Sequence, residues 1–194
     1  MPLRPLPPQD GTRVDRHARL TERDWVGSDV PFRSGRLRVE KRGSWVRVVH
    51  DAQDSAVALL RDDRGRYAFV RQHRNVIGEE TLELPRGGSE PGEDCVACAL
   101  REGWEETGIR GERRNARLLG TILGNTSLAA TRLGVVLVDV GRVAEDSLEP
   151  PHHWEVDRVE FFSHAEAMEL VRRGDLRCSL SISALAMAAA HGHP

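Results

Sequence analysis

The chain has 194 residues, a formal net charge of −2, and 39% hydrophobic but only 5% aromatic residues. That length suits one domain with a short extension, and the near-neutral charge leaves no broad basic footprint for nucleic acid. No stretch approaches the ~20 apolar residues of a membrane span, so neither nucleic acid nor a membrane is expected as a partner.

Residues 1–22 are rich in Pro and Arg and lack periodicity, which predicts a disordered or partner-draped arm. They also lack the apolar core of a signal peptide. Cys95 and Cys98 lie three apart with no second Cys or His pair at zinc-like spacing, and Cys178 stands alone. Small core residues in a reducing cytoplasm are therefore expected. All but one of the 28 basic side chains are arginine, Lys41 being the exception. The bias is genomic or functional; arginine's planar fork suits phosphate and carboxylate.

Residues 23–50 read as an N-terminal β-extension. Leu37 and Val39, a turn at Arg42-Gly43-Ser44, then Val46 and Val48 predict a β-hairpin over 36–50. The main domain is expected over 51–194. Residues 56–60 and 67–71 read as strands joined by the turn-forming 61–65, and another short strand precedes Pro85. A glycine-rich turn from Gly87 then enters a helix over 94–107 that Gly108 ends. Residues 118–123, 133–140 and 156–162 are further strands. Ser163 and Glu166 form a capping box opening a helix that closes at Gly174. Residues 180–190 make a last apolar helix. Strands with helices before and after them predict an α/β fold, one mixed sheet with helices on both faces.

The helix after Gly87 carries Glu102, Glu105 and Glu106 close together, with Arg101 beside them. Neighbouring like charges cost a few tenths of a kcal/mol per pair on a helix. A bound divalent cation removes that repulsion, and hard cations such as magnesium take carboxylate oxygens together with substrate phosphates. The pattern points to metal-assisted phosphate chemistry.

Gly87, Glu93, Arg101, Glu102, Glu105, Glu106, Gly108 and Ile109 stand at the spacing of one signature: Gly, five residues, Glu, seven residues, then Arg-Glu-apolar-x-Glu-Glu-x-Gly-apolar. In this the chain resembles the Nudix hydrolases. Gly103 departs, since an aliphatic residue usually follows the first glutamate of the triplet. Helix-interior glycine costs about 1 kcal/mol relative to alanine, so either another backbone packs close there or the helix is locally weaker. Residues 70–74 and 83–88 resemble the segment before the signature in the ADP-ribose and nucleotide-sugar pyrophosphatase branch.

The resemblance implies an α/β/α sandwich. It implies Mg2+, with Mn2+ as a substitute, on Glu102, Glu105, Glu106 and a backbone carbonyl near Arg86, and it makes Glu106 the first catalytic choice, with Glu105 beside it. Gly87, Glu93, Arg101 and Gly108 would support the site. Arg71 and Arg74 would reach phosphate or lie as edge-strand arginines in solvent, and Glu83 would help hold base or ribose. Relatives place the general base in a flexible acidic loop; here that loop holds Glu145, Asp146, Glu149 and Glu155, with His152 and His153 between, and Glu149 or Glu155 is preferred. The extension at 23–50 is similar to the element that relatives exchange across a homodimer. The proline that marks ADP-ribose hydrolases, about sixteen residues past the signature, is replaced by Gly124 or Asn125. The tyrosine of dinucleoside polyphosphate hydrolases is missing too. The implied substrate is a nucleoside diphosphate sugar, cut to a nucleoside monophosphate and a sugar phosphate. The alternatives are a nucleoside triphosphate pyrophosphohydrolase and a non-catalytic nucleotide-sugar sensor.

Overall fold

The computed structural model describes residues 22–50, 55–145, 148 and 155–193. The expected arm, up to residue 21, lies outside the described residues, as do Asp146, Glu149, His152 and His153. The chain divides into two compact units: Met1–Asp51 with Asn125–Ala130, and Ala52–Gly124 with Thr131–Pro194.

In the first unit a 3-10 turn, Glu22–Trp25, precedes three antiparallel strands: β1 (Asp29–Ser34), β2 (Leu37–Arg42) and β3 (Trp45–His50). The expected hairpin is β2–β3, and β1 extends it to three strands. Two-residue turns join them, and Gly35 (φ 53°) and Gly43 (φ 58°) supply the left-handed conformation such turns need. The far edge of β3 is used as well: Val48 N–H donates to Leu128 O at 2.8 Å and Ala130 N–H to Val48 O at 3.0 Å. A cleft of about 350 Å³ lies in this unit, lined by Trp25, Trp45, Arg47 and residues 126–130, with the Arg47 guanidinium 4.4 Å from the centre of the Trp25 ring.

The second unit holds β4 (Ser55–Asp62), β5 (Arg66–Arg74), β6 (Glu79–Glu83), β7 (Arg86–Gly88), α1 (Cys95–Thr107), β8 (Ala116–Leu123), β9 (Arg132–Gly141), β10 (Val156–Ser163), α2 (His164–Arg173) and α3 (Ser179–Ala190). The mixed sheet runs β10-β5-β4-β9-β8, with β4 and β9 parallel. β4 and β5 pair at Arg61 and Tyr67, beside their turn; farther along, β6 pairs with β5 and β7 with β4. The two added strands fill a wedge between β4 and β5, which brings the Arg86 backbone beneath α1. The glycines at 87 and 88, expected as a turn, therefore form a strand opposite Ala56 and Ser55.

β4 alternates between two cores, which explains its continuous apolar run: a strand covered on both faces has no polar side. Val57 and Leu59 join Tyr67, Phe69, Leu137 and Leu185 in the layer under α2 and α3. Ala56, Ala58 and Leu60 join Ala68, Val136, Cys98 and Ala99 in the layer under α1. This is the expected mixed sheet with helices on both faces. The two later helices begin and end where the sequence predicts: Ser163 and Glu166 form the capping box, and Gly174 closes α2 at φ 81°. Among the described residues no helix is long and apolar enough to cross a membrane.

Candidate active site

Asp94 caps α1 by accepting a hydrogen bond from Ala97 N–H at 2.8 Å, and Gly108, at φ 72°, donates its N–H back to Trp104 O at 2.8 Å. Between these caps the buried stripe is Cys98, Ala99, Glu102, Gly103, Glu106 and Thr107. Two carboxylates thus occupy positions that an ordinary amphipathic helix fills with apolar side chains. Burying an ionised carboxyl without a partner is costly, and the usual response is a shifted pKa.

Glu106 shows that response. It is 3% exposed, and its one hydrogen bond among the described residues comes from Arg86 N–H at 3.3 Å. Burial, then the charge of neighbouring Glu102, pushes its pKa up to about 8, against an ordinary 4.5. Glu102 lies flat against β7: an ideal Cβ built on Gly87 would stand 2.1 Å from its Oε1. Glycine at 87 leaves this carboxylate room to approach the backbone, and a side chain there would push it aside. The departure at Gly103 has an equally local cause, and it is a side chain rather than a backbone that packs close: a Cβ there would lie 3.1 and 3.2 Å from the Leu60 methyls.

Arg101 organises the entrance to the helix. Its Nε donates to Glu93 at 3.0 and 3.2 Å, its Nη2 to Gly88 O at 2.8 Å, and its Nη1 to both Glu102 (2.8 Å) and Glu105 (3.1 Å). Glu93 also accepts from Glu90 N–H at 2.8 Å, which fastens the loop between β7 and α1. The three signature glutamates consequently do not close on one point. Glu105 is turned to Arg101 at the half-exposed flank, and no group of three or more His, Cys, Asp or Glu side chains forms a metal cage among the described residues. The chemistry of the donors nonetheless fits a hard cation: two buried carboxyls, Glu102 and Glu106, repel one another beside a strand backbone, and a divalent ion with oxygen ligands relieves that repulsion. Cys98, buried on the same stripe, has its thiol pushed up to about 12, burial being the main cause, and offers no thiolate.

Opposite α1 lies a second charged group. Glu83, buried at the end of β6, accepts from Arg74 Nε and Nη2 at 3.1 and 2.9 Å, from Arg86 Nη2 at 2.5 Å and from Thr81 Oγ1 at 2.8 Å. Burial alone would lift its pKa, but Arg74 and Arg86 hold it at about 2. With its oxygens accepting from three residues, Glu83 anchors Arg74 and Arg86 in this structure. The third arm of Arg74, Nη1, reaches Glu155 at 3.0 Å, and the charge of Glu106 acts on the same guanidinium.

Arg71 and Arg74 part company. Side chains alternate along a strand, so Arg71 shares the Phe69 face under α2 and pairs with Glu160 (2.5 Å) and Glu80 (3.3 Å), away from α1. Among the loop carboxylates, Glu155 joins Arg74, whereas Glu145 binds Arg66 Nη2 at 2.6 Å. Arg66 and Arg74 are the two ends of β5, roughly 26 Å apart at 3.3 Å per residue, so Glu145 and Glu155 pair with opposite ends of that strand. Sequence reasoning passed over the Arg86 side chain and Gln72. Gln72 is fully buried on the Arg74 face of β5, with both amide atoms unpartnered among the described residues. The parity of strand positions carried the signal for Gln72; nothing in the sequence marked Arg86 as a partner for Glu83 beyond its spacing of three.

Two proteins called RNA pyrophosphohydrolase are similar to this chain. That of Bartonella clarridgeiae is 29% identical over 99 residues, 45% of this chain and 57% of its own length. That of Roseobacter denitrificans is 50% identical over 44 residues, 23% of this chain and 27% of its own length. The chain thus covers less than two thirds of either relative. The model of the NUDIX domain matches residues 51–178, a span that holds the buried glutamates of α1 with Arg74, Glu83 and Glu155; the chain belongs to the Nudix family.

Proposed function

We propose that this protein is a metal-dependent pyrophosphohydrolase that cuts the phosphoanhydride bond of a nucleoside diphosphate sugar, releasing a nucleoside monophosphate and a sugar phosphate. The observation that carries the reading is the placement of Glu102 and Glu106 on the buried stripe of α1, against the β7 backbone. Glu102 and Glu106, the Arg86 carbonyl, and Glu105 once it leaves Arg101, would hold magnesium or manganese. When bound, such ions neutralise phosphate oxygens and lower the pKa of the attacking water.

The chain's own residues do the remaining work. Arg74 and Arg86, held side by side by Glu83, present positive charge next to the carboxyl cluster and orient an anionic diphosphate. Water oxygen bonds to phosphorus, the bridging P–O bond breaks with its electron pair on the departing phosphate, and the proton passes to a carboxylate. Glu155 is the described loop carboxylate in position to take it, being tied to Arg74. Residues 70–74 and 83–88 support the nucleotide-sugar branch. The relatives' names favour a second reading, removal of pyrophosphate from a 5′-triphosphate end.

Product analysis separates the two. Nucleotide sugars, nucleoside triphosphates and a 5′-triphosphorylated RNA oligonucleotide are each incubated with enzyme and magnesium. Monophosphate plus sugar phosphate is the expected result; pyrophosphate released from the RNA end, with nucleotide sugars untouched, overturns the substrate choice. No magnesium-dependent turnover of anything, with tight binding of a nucleotide sugar, makes the protein a sensor. A homodimer through residues 23–50 remains part of the proposal, and light scattering checks it.

Gly87→Ala tests the local geometry. The added methyl competes for space with the Glu102 carboxylate, so turnover is expected to fall by at least about tenfold, the equivalent of roughly 1.4 kcal/mol in the barrier. Circular dichroism should stay that of the parent. Unchanged kinetics would show that Glu102 need not lie against the strand.

A further inference from the structure

Arg74 divides its donors unequally. Two go to Glu83, which is buried, bidentate and also held by Arg86 and Thr81. One goes to Glu155, through a single contact of 3.0 Å between side chains that are 25% and 22% exposed. Buried bidentate pairs are strong and geometrically fixed, whereas a single contact between partly exposed side chains is weaker and exchanges more readily. The guanidinium is therefore clamped at one end and loosely occupied at the other. The charge of Glu106, on α1, acts on this same guanidinium.

We propose that Arg74 is an exchangeable latch: it holds Glu155 while the site is empty, and gives the same Nη1 to a diphosphate oxygen when substrate enters, which frees the Glu155 carboxylate. The exchange is one anion for another on a guanidinium that never loses its second partner, so no uncompensated charge is buried at any stage. Glu83 is the positioning residue that keeps Arg74 in place through the exchange. Binding of substrate and release of the proton acceptor become a single event. Without a diphosphate in place, Glu155 stays paired to the guanidinium. The idea rests on the hydrolase reading above but concerns binding first.

The competition is measured with inorganic pyrophosphate, titrated calorimetrically into the full chain. Glu155→Gln removes the competing carboxylate charge, so pyrophosphate should bind roughly three- to tenfold more tightly than to wild type. In an Arg74→Lys background the single ammonium serves Glu83 alone, and Glu155→Gln should then change affinity by less than twofold. Kinetics provide the second readout: in Glu155→Gln, KM for a nucleotide sugar falls while kcat drops, a split that loss of a merely structural contact would not produce. Unchanged or weaker pyrophosphate binding in Glu155→Gln overturns the latch, as does absence of binding in both proteins. Wild type that hydrolyses no diphosphate, while pyrophosphate affinity responds as stated, defeats the hydrolase reading and leaves the latch standing.

Discussion

Glu106→Gln is expected to lower turnover by about a thousandfold or more, roughly 4 kcal/mol in the barrier, while the fold is kept. Glutamine retains an acceptor for the Arg86 N–H but cannot supply the anionic oxygen that the proposed cation needs. The same change should alter how the metal-free protein responds to pH. The Glu106 carboxyl sits at about 8 instead of 4.5, so the native chain keeps a proton that the unfolded chain has already given up. Stability of the metal-free protein therefore falls as pH rises from about 4.5 through about 8, by a few kcal/mol, and Glu106→Gln flattens that decline. Steady-state kinetics and urea unfolding between pH 5 and 9 read both effects. A variant that keeps more than a tenth of wild-type turnover would remove Glu106 from the centre of the chemistry.

Glu83→Gln should be the most damaging single change outside α1. It leaves two guanidiniums, Arg74 and Arg86, without the carboxylate they share. Removing one partner of a buried ion pair costs on the order of 3 kcal/mol. Because the Glu83 pKa is depressed to about 2, its contribution is fully present above about 4.5 and is lost as pH falls toward 2. Wild type and variant should thus converge in stability on acidification. Urea midpoints at pH 7, 5 and 3 provide the measurement, and a difference below about 1 kcal/mol at pH 7 would show that the two arginines find other partners. The kcat/KM should fall as well, since an unanchored Arg74 no longer presents a fixed charge.

Much of the main fold is legible in the sequence because its signals are local. Asp94, Gly108, Ser163, Glu166 and Gly174 each mark a helix end through a hydrogen bond or a left-handed backbone within four residues. The parts that escape depend on distant partners. Gly87 and Gly88 look like a turn by composition and become a strand because β4 offers an edge where β5 has pulled away. β1 contains Pro31 and is exposed throughout, so no alternation of burial announces it. At the site, the cluster on α1 follows from helical spacing alone, yet the convergence of Glu105 with its neighbours does not, because Arg101 claims it first. The pairing of Glu83 with Arg74 escapes as well, because it spans the two strands β5 and β6, nine residues apart in the chain. The separation of Arg71 from Arg74 was available from counting, three positions being an odd step on a strand.

The contact between Gly103 and Leu60 has an evolutionary reading. The helix presents no side chain at position 103, and the Leu60 methyls of the strand beneath lie where one would extend. The two sites act as one parcel of core volume that either element can own. A descendant that acquires valine at position 103 should survive only in company with a smaller residue at position 60, so drift at this spot is expected to move in pairs.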